Sequence, residues 1–290
     1  MSMDARASTA DDLSRRRVPL DTVAIRRPRP QRGRRGVTRT LILQIFVLAL
    51  AVGVWWYGSV SLPTGVMPGP ATTLAELVRL VGTPEFWNAL GSTIGTFLLG
   101  LVICAVVGVP VGLAVGSSRI ATQSTRLVFD FLRTIPPIAI LPLVLLMFGP
   151  SAEMVLVVVV LGAIWPILVQ STYAATQGEP LLRDMARSVR MPRRWYLSRV
   201  FFPGTLPFVM TGLRVGTTIC LLLTITGELL GGAPGIGFEI QNAQNYLDTP
   251  RMYAYVLVSA LLGLGVNVLF WSVQRWILRW HASQRSEVSR

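Results

Sequence analysis

The chain has 290 residues, of which 52% are hydrophobic and only 14% charged, where a soluble domain carries about 25% charged. That balance, with a mean hydropathy of +0.55, excludes an ordinary soluble protein and leaves room for about six spans of ~20 residues. The 27 basic residues outnumber the 14 acidic ones for a net charge of +13, and all are arginine, which excludes a lysine Schiff base and a P-loop lysine.

Cys104 and Cys220 lie in apolar stretches and read as small apolar fillers, not as a disulfide or zinc framework. The single histidine, His281, is in the tail, so no histidine-based metal cluster or catalytic triad is expected. Residues 1–40 hold eleven arginines interleaved with Pro19, Pro28 and Pro30, and nothing there can bury a core. They read as a disordered basic cytoplasmic tail suited to anionic lipid headgroups. A charge run alone does not make a nucleic-acid site, and none is expected.

The first apolar run, Leu41 to Tyr57, ends in Trp55-Trp56-Tyr57, as at a membrane interface. It reads as an uncleaved first transmembrane helix over 41–58. Further spans are expected at 88–116, 128–148, 154–176, 207–230 and 252–274. Gly91/Gly95 and Gly108/Gly112/Gly116 recur at four-residue spacing, which lets helix backbones approach closely in lipid. Pro136, Pro137 and Pro142 predict kinks in the third span, and Pro166 in the fourth.

With the N-terminus cytoplasmic, 23 arginines fall in inside segments, only Arg79 and Arg251 fall outside, and Arg133 and Arg214 lie within spans. The positive-inside rule then predicts both termini in the cytoplasm and an even number of spans.

The longest internal cytoplasmic segment is 178–206. Leu181, Leu182, Met185 and Val189 share a helical face, Pro192 stops that helix, and a second short piece, 193–202, leads to Pro203. Two short helices with a turn fit either an amphipathic element on lipid or a docking element for a cytoplasmic partner.

The stretch from Asp184 to Pro203 resembles the EAA loop of binding-protein-dependent ABC importer permeases. Asp184-Met185-Ala186 stand at the Glu-Ala-Ala places, Arg190 at the Gly place, Val200 at the Ile place, and Phe202-Pro203 at the final Leu-Pro. RTIPPIAILPLVLLMFGPSAEM (133–154), FPGTLPFVMTGLRVG (202–216) and GELLGGAPGIGFEIQNAQN (227–245) are similar to segments of the taurine, nitrate and aliphatic-sulfonate permeases. The match covers about 85–280 as a permease core.

The resemblance implies an all-α membrane protein with six transmembrane helices, like a type I ABC importer permease. It implies a multi-pass place in the bacterial cytoplasmic (inner) membrane. It also implies a second permease copy, as a homodimer, two cytoplasmic ATPase subunits and an extracytoplasmic solute-binding protein. The chain itself would be no enzyme and bind no cofactor or metal, ATP and Mg belonging to the partner ATPase. The cargo it implies is a small anionic organic solute such as a sulfonate or taurine, with nitrate, bicarbonate or a pyrimidine or aromatic compound as alternatives. A secondary transporter or channel is the rival reading, but no inverted repeat is evident.

The ATPase contact is expected at Asp184, Met185, Ala186, Arg187, Val189, Arg190 and Pro203. The pathway or gate is expected at Arg133, Arg214, Glu228, Gly231 and Gly235. For Arg133 an ion pair with Asp130 is the alternative, and for Arg214 snorkelling to the interface. Glu228, an ionisable residue at membrane depth, reads as a hydrogen-bond hub fixing the turn into Gly231-Gly232.

Overall fold

A computed structural model describes residues 35–62, 66–176 and 180–279. Of the described residues, 35–45 fall in one unit and 46–279 in another. Among the described residues the chain is helical, with no strand. The first helix, α1, runs Arg35–Ser61, so 35–40 are helical and not tail; the tail 1–34 lies outside the described residues. Next in order are α2 (Pro70–Val81), α3 (Pro84–Gly116), α4 (Arg119–Leu132), α5 (Pro137–Phe148) and α6 (Ala152–Thr176). After them come α7 (Pro180–Ser188), α8 (Arg193–Tyr196), a π-helical turn (Leu197–Phe201), α9 (Phe202–Gly231), α10 (Ile236–Asn245) and α11 (Thr249–Ile277).

Five stretches are long and apolar enough to cross a membrane, and a sixth exists if α4 and α5 count as one bent span. That bend is 75° and falls at Pro136 and Pro137, within the span expected at 128–148 with a kink. Pro136 and Pro137 lack amide protons, and the residue before a proline is pushed out of the helical region, so the helix stops after Leu132. Thr134 and Ile135 close it with short bonds to Phe131 and Leu132. Before the elbow lies a 14-residue amphipathic helix with no buried residue. Beyond it the chain resumes as a helix of 12 residues.

The core sits around α6, which is apolar on every side. Met154, Val155, Val158, Val159, Ala163 and Ile167 are all fully buried. Helices α3 and α9 pack along it. Gly112 shows why the α3 stripe is glycine: a Cβ there would stand 2.5 Å from the Leu168 carbonyl oxygen and 2.6 Å from Ser171 Cβ. Gly91 and Gly95 share the spacing, yet a Cβ at either meets nothing within 4 Å. The close approach is confined to the later part of α3. Cys104 and Cys220 are buried in the same cluster, with Cys104 Sγ 3.9 Å from the Val160 carbonyl oxygen.

A second cluster joins α2, α3, α10 and α11 through Leu80, Phe86, Ile236, Ile240 and Tyr255. Helix α2 has no counterpart in the span pattern, being too short to cross a membrane. It buries Thr73 and Leu80 and leaves Leu74, Val78 and Val81 exposed.

Candidate functional site

Three features lie along or beside α9: a bracket of short helices at its start, a cleft along its flank, and a buried carboxylate near its end.

The bracket is built from α7 and α8. Helix α7 closes with Arg190 N–H donating to the Arg187 carbonyl (2.9 Å) and Met191 N–H to the Ala186 carbonyl (2.9 Å). This is a Schellman closure, with Arg190 at its left-handed position at φ 48°. The place where the resembled pattern has glycine therefore keeps the glycine geometry with an arginine in it, at a cost of roughly 1 kcal/mol. Asp184, Met185, Arg187, Val189 and Arg190 are all exposed, Met185 at 57% and Val189 at 71%. Ala186 differs from that expected contact set. It is buried at 7%, beside a small cavity that Met191, Arg193 and Tyr196 also line. Leu181, Leu182 and Arg183 lie where no side-chain position is described.

Helix α8 runs through the π turn directly into α9. Pro203 has no amide to donate to Arg199, and the Phe202 N–H instead bonds the Leu197 carbonyl, five residues back. The short helix expected at 193–202 is thus joined to the span, which starts at Phe202 and not 207. Arg199 lies 4.3 Å over the Trp195 ring, one turn away, and stiffens this joint.

The cleft opens beside the elbow and has a volume of about 590 Å³. Its walls are mainly apolar, from Ile135, Pro137, Val169, Val215, Ile219 and Leu222. Its polar groups are few: Arg133, Thr134, Gln170 and Thr211, with the Trp165 indole. Arg133 pairs with Asp130 at 3.0 Å and is half exposed, so the ion pair and the cleft lining coexist. Arg214 is not in this cleft. It lines a separate groove between α9 and α11, 3.5 Å from Asn267 Oδ1. The structure therefore does not bring the two span arginines together. Trp165 and Gln170 carry no sequence signal beyond lying in a span.

Glu228 is 1% exposed. Its Oε2 accepts from the Thr93 hydroxyl (2.9 Å) and from the Gly237 N–H (3.0 Å). Thr93 Oγ1 accepts in turn from the Ile236 N–H (2.9 Å). The carboxylate thus receives the Gly237 amide and Thr93 the Ile236 amide, and together they tie the start of α10 to α3. Ser92 adds a second tie, donating to the Pro234 carbonyl at 2.8 Å. The Gly231-Gly232 turn uses only the Glu228 backbone carbonyl, which accepts from Gly232 N–H at 3.0 Å. Gly235 and Gly231 are both buried; a Cβ at Gly235 would fall on the Glu228 carboxylate, and one at Gly231 would meet the tip of Met154. Among the described residues Glu228 Oε1 has no hydrogen-bond partner. Thr93 gives no sign of its role in the sequence, since it lies 135 residues from Glu228.

Among the described residues no group of three or more potential metal ligands occurs.

Residues 106–281 match the family described as "Binding-protein-dependent transport system inner membrane component". The chain is similar to the taurine transport system permease protein TauC of Escherichia coli (strain K12), 27% identical over 252 residues, covering 84% of this chain and 92% of that protein. It is similar to the nitrate import permease protein NrtB of Synechocystis sp., 31% identical over 207 residues, covering 68% of this chain and 75% of that protein. In fold it resembles a chain of the MetNI methionine ABC transporter in an inward-facing conformation, with a TM-score of 0.58 at 17% identity, covering 67% of this chain and 96% of that chain.

Proposed function

Because the chain belongs to the binding-protein-dependent transport system inner membrane components, as a multi-pass ABC importer permease of the type I fold, we propose that it forms the pathway for a small organic anion. Sulfonates are the first choice, the simple alkanesulfonates as monoanions and taurine as a zwitterion that presents the same sulfonate group. The observation that carries this reading is the bracket–cleft connection. An exposed two-helix bracket continues through one π turn into α9, and α9 walls a cleft with a cation at its edge. Displacement of the bracket moves a wall of the cleft.

In this reading two ATPase subunits bear on Met185 and Val189, with acidic rims facing Arg187 and Arg190. ATP, with Mg, is hydrolysed there and not in this chain. A second copy of the chain completes the pathway, and an extracytoplasmic binding protein delivers the solute. Closure and resetting of the ATPase pair switch the packing between two arrangements. The termini face the cytoplasm. Both arginines assigned to the outer side are paired with carboxylates, Arg79 with Glu76 and Arg251 with Glu239, which leaves that side without free positive charge from them.

The cleft supports an organic anion over nitrate or bicarbonate. An apolar wall gives a strongly hydrated inorganic ion little in exchange for its water, whereas a sulfonate presents a carbon body to Ile135, Val169 and Val215 and one charge to Arg133. The test is affinity purification of the tagged chain from native membranes with its partners, then uptake in proteoliposomes. Co-purification of an ATPase and a binding protein, with uptake of labelled taurine exceeding that of nitrate, is expected. A chain that purifies alone overturns the permease reading; nitrate uptake exceeding taurine uptake overturns the cargo.

A further inference from the structure

The groove between α9 and α11 has a volume of about 490 Å³ and is apart from the cleft at the elbow. Leu221 walls it on one side, and Leu264, Val266 and Phe270 on the other. Its polar side chains are Arg214, Thr217, Thr218 and Asn267. The Thr217 hydroxyl donates to the Leu213 carbonyl (2.7 Å) and the Thr218 hydroxyl to the Arg214 carbonyl (3.3 Å), so neither has a proton to offer. Asn267 accepts through Oδ1, which leaves its amide nitrogen as a donor. The groove therefore presents a guanidinium and an amide N–H, and no carboxylate.

Arg214 is exposed, and among the described residues no carboxylate pairs with it. Its bond to Asn267 Oδ1, at 3.5 Å, is at the outer limit for a hydrogen bond. A cation at membrane depth with so little to hold it calls for an anion.

A second cation comes from the end of α11. Asn267, Trp271 and Arg275 recur at four-residue spacing and share one stripe of that helix. The Arg275 guanidinium folds back to 4.4 Å from the centre of the Trp271 ring. Among the described residues it too has no carboxylate partner. Trp271 is one turn from Asn267, about 6 Å of rise, so the two guanidiniums stand at neighbouring levels along α11. A single phosphate, with oxygens on opposite sides, can accept from both.

We infer that this groove binds an anionic phospholipid of the inner leaflet, its phosphate between Arg214 and Arg275 and an acyl chain along Leu264 and Phe270. The inner placement rests on the permease reading above, with both termini in the cytoplasm. Basic pockets between transmembrane helices on that side take acidic headgroups. A zwitterionic lipid is a poorer fit, because the groove has no carboxylate for its ammonium and Arg275 already covers the Trp271 ring. A second copy of the chain is poorer too. The carboxylates it has in or beside the described spans near this depth are Glu228, which is buried, and Asp130, which is paired with Arg133. Bound in this way, the lipid joins α9, a wall of the solute cleft, to α11.

The experiment is native mass spectrometry of the tagged chain, purified with its partners and incubated with phosphatidylglycerol or phosphatidylethanolamine of matched acyl chains. Retention of phosphatidylglycerol at least fivefold above phosphatidylethanolamine is expected. Arg214→Gln with Arg275→Gln should lower it at least fivefold; both are changed because either alone still holds a phosphate. Gly263→Leu should lower it as well with both arginines in place, since a Cβ at 263 meets only Leu221, at 3.6 Å, and the longer side chain fills the groove. Arg133→Gln, at the other cleft, should leave it unchanged. Melting temperatures of the variants in phosphatidylethanolamine, within a few degrees of the parent, show that the fold is intact. Equal retention of the two lipids, or full phosphatidylglycerol retention by the double variant, overturns the proposal. A double variant that keeps the lipid but loses its second copy assigns the groove to that copy and also overturns it. The same spectra count ATPase subunits: their absence overturns the permease reading, while lost lipid selectivity with the ATPase present overturns only the lipid site.

Discussion

The two ends of α9 are made differently. At its start, α7 and α8 are closed almost wholly by backbone bonds, and their side chains point away: Met185, Arg187, Val189 and Arg190 are exposed. At its finish, Glu228 is enclosed, and its bonds run to other parts of the same chain, to Thr93 and Gly237. One end has its chemistry available to another molecule, and the other has consumed it internally. The same helix therefore carries an exposed face and a folding constraint about 45 Å apart. Damage to the two ends should be separable: the hub should fail as stability, the bracket as partnership.

The largest effect is expected at the hub. Glu228→Ala strands the Thr93 hydroxyl and the Gly237 amide, a loss of about 2–5 kcal/mol, read as lower thermal stability in detergent and less chain in the membrane. Glu228→Gln keeps an acceptor and should stay within about 1 kcal/mol of the parent. Gly235→Val should be as damaging as the alanine change, because its side chain occupies the carboxylate's place. A Glu228→Ala chain as stable as the parent would erase the distinction between the ends.

Next comes the bracket. Met185→Asp with Arg187→Glu should reduce the co-purified ATPase at least tenfold, while the melting temperature stays within a few degrees, since both side chains are exposed. Full co-purification would remove the assembly surface from this end of the helix.

A smaller effect tests the cleft between them. Arg133→Gln should lower uptake about five- to tenfold, roughly 1–1.4 kcal/mol of barrier, with basal ATP hydrolysis retained. Arg214→Gln, in the other groove, should change it less than about twofold. Equal effects would mean that both grooves serve the solute. The smallest expected change is Arg190→Gly, which relieves the left-handed backbone and should stabilise the chain by less than about 1 kcal/mol, read as a rise of a few degrees or less.

Hydropathy makes the long helices legible because a helix that crosses lipid must be apolar along its whole length. The α7–α8 bracket is also legible, since its apolar face and Pro192 mark it locally. Other features are hidden. Helix α2 is short and half buried, so it carries no span signal. The elbow reads as a kink because prolines announce a break and say nothing of its angle; 75° is set by packing, including Phe129 against Trp165 at 6.1 Å. The glycine spacing misleads in part, as Gly91 and Gly95 repeat the pattern of Gly108 and Gly112 without facing α6. At the hub, Glu228 is visible as a charge inside a span, but Thr93 is one threonine among many until the fold brings α3 alongside it.

The elbow before α5 has an electrical consequence. Twelve residues rise about 18 Å, little more than half of a ~30 Å hydrocarbon layer. Non-helical backbone at such depth persists only against protein or water, and the half-exposed Arg133 beside it calls for water. In the proposed permease reading a wet vestibule reaches down to the elbow, and the dry section narrows to roughly the length of α5. In that reading the transmembrane voltage falls mostly across that section, and the ~2.3 kcal/mol per charge per 100 mV that acts on any net charge carried by the solute is concentrated there. In that reading the electrical work of import is done over one short helix, beside the cleft.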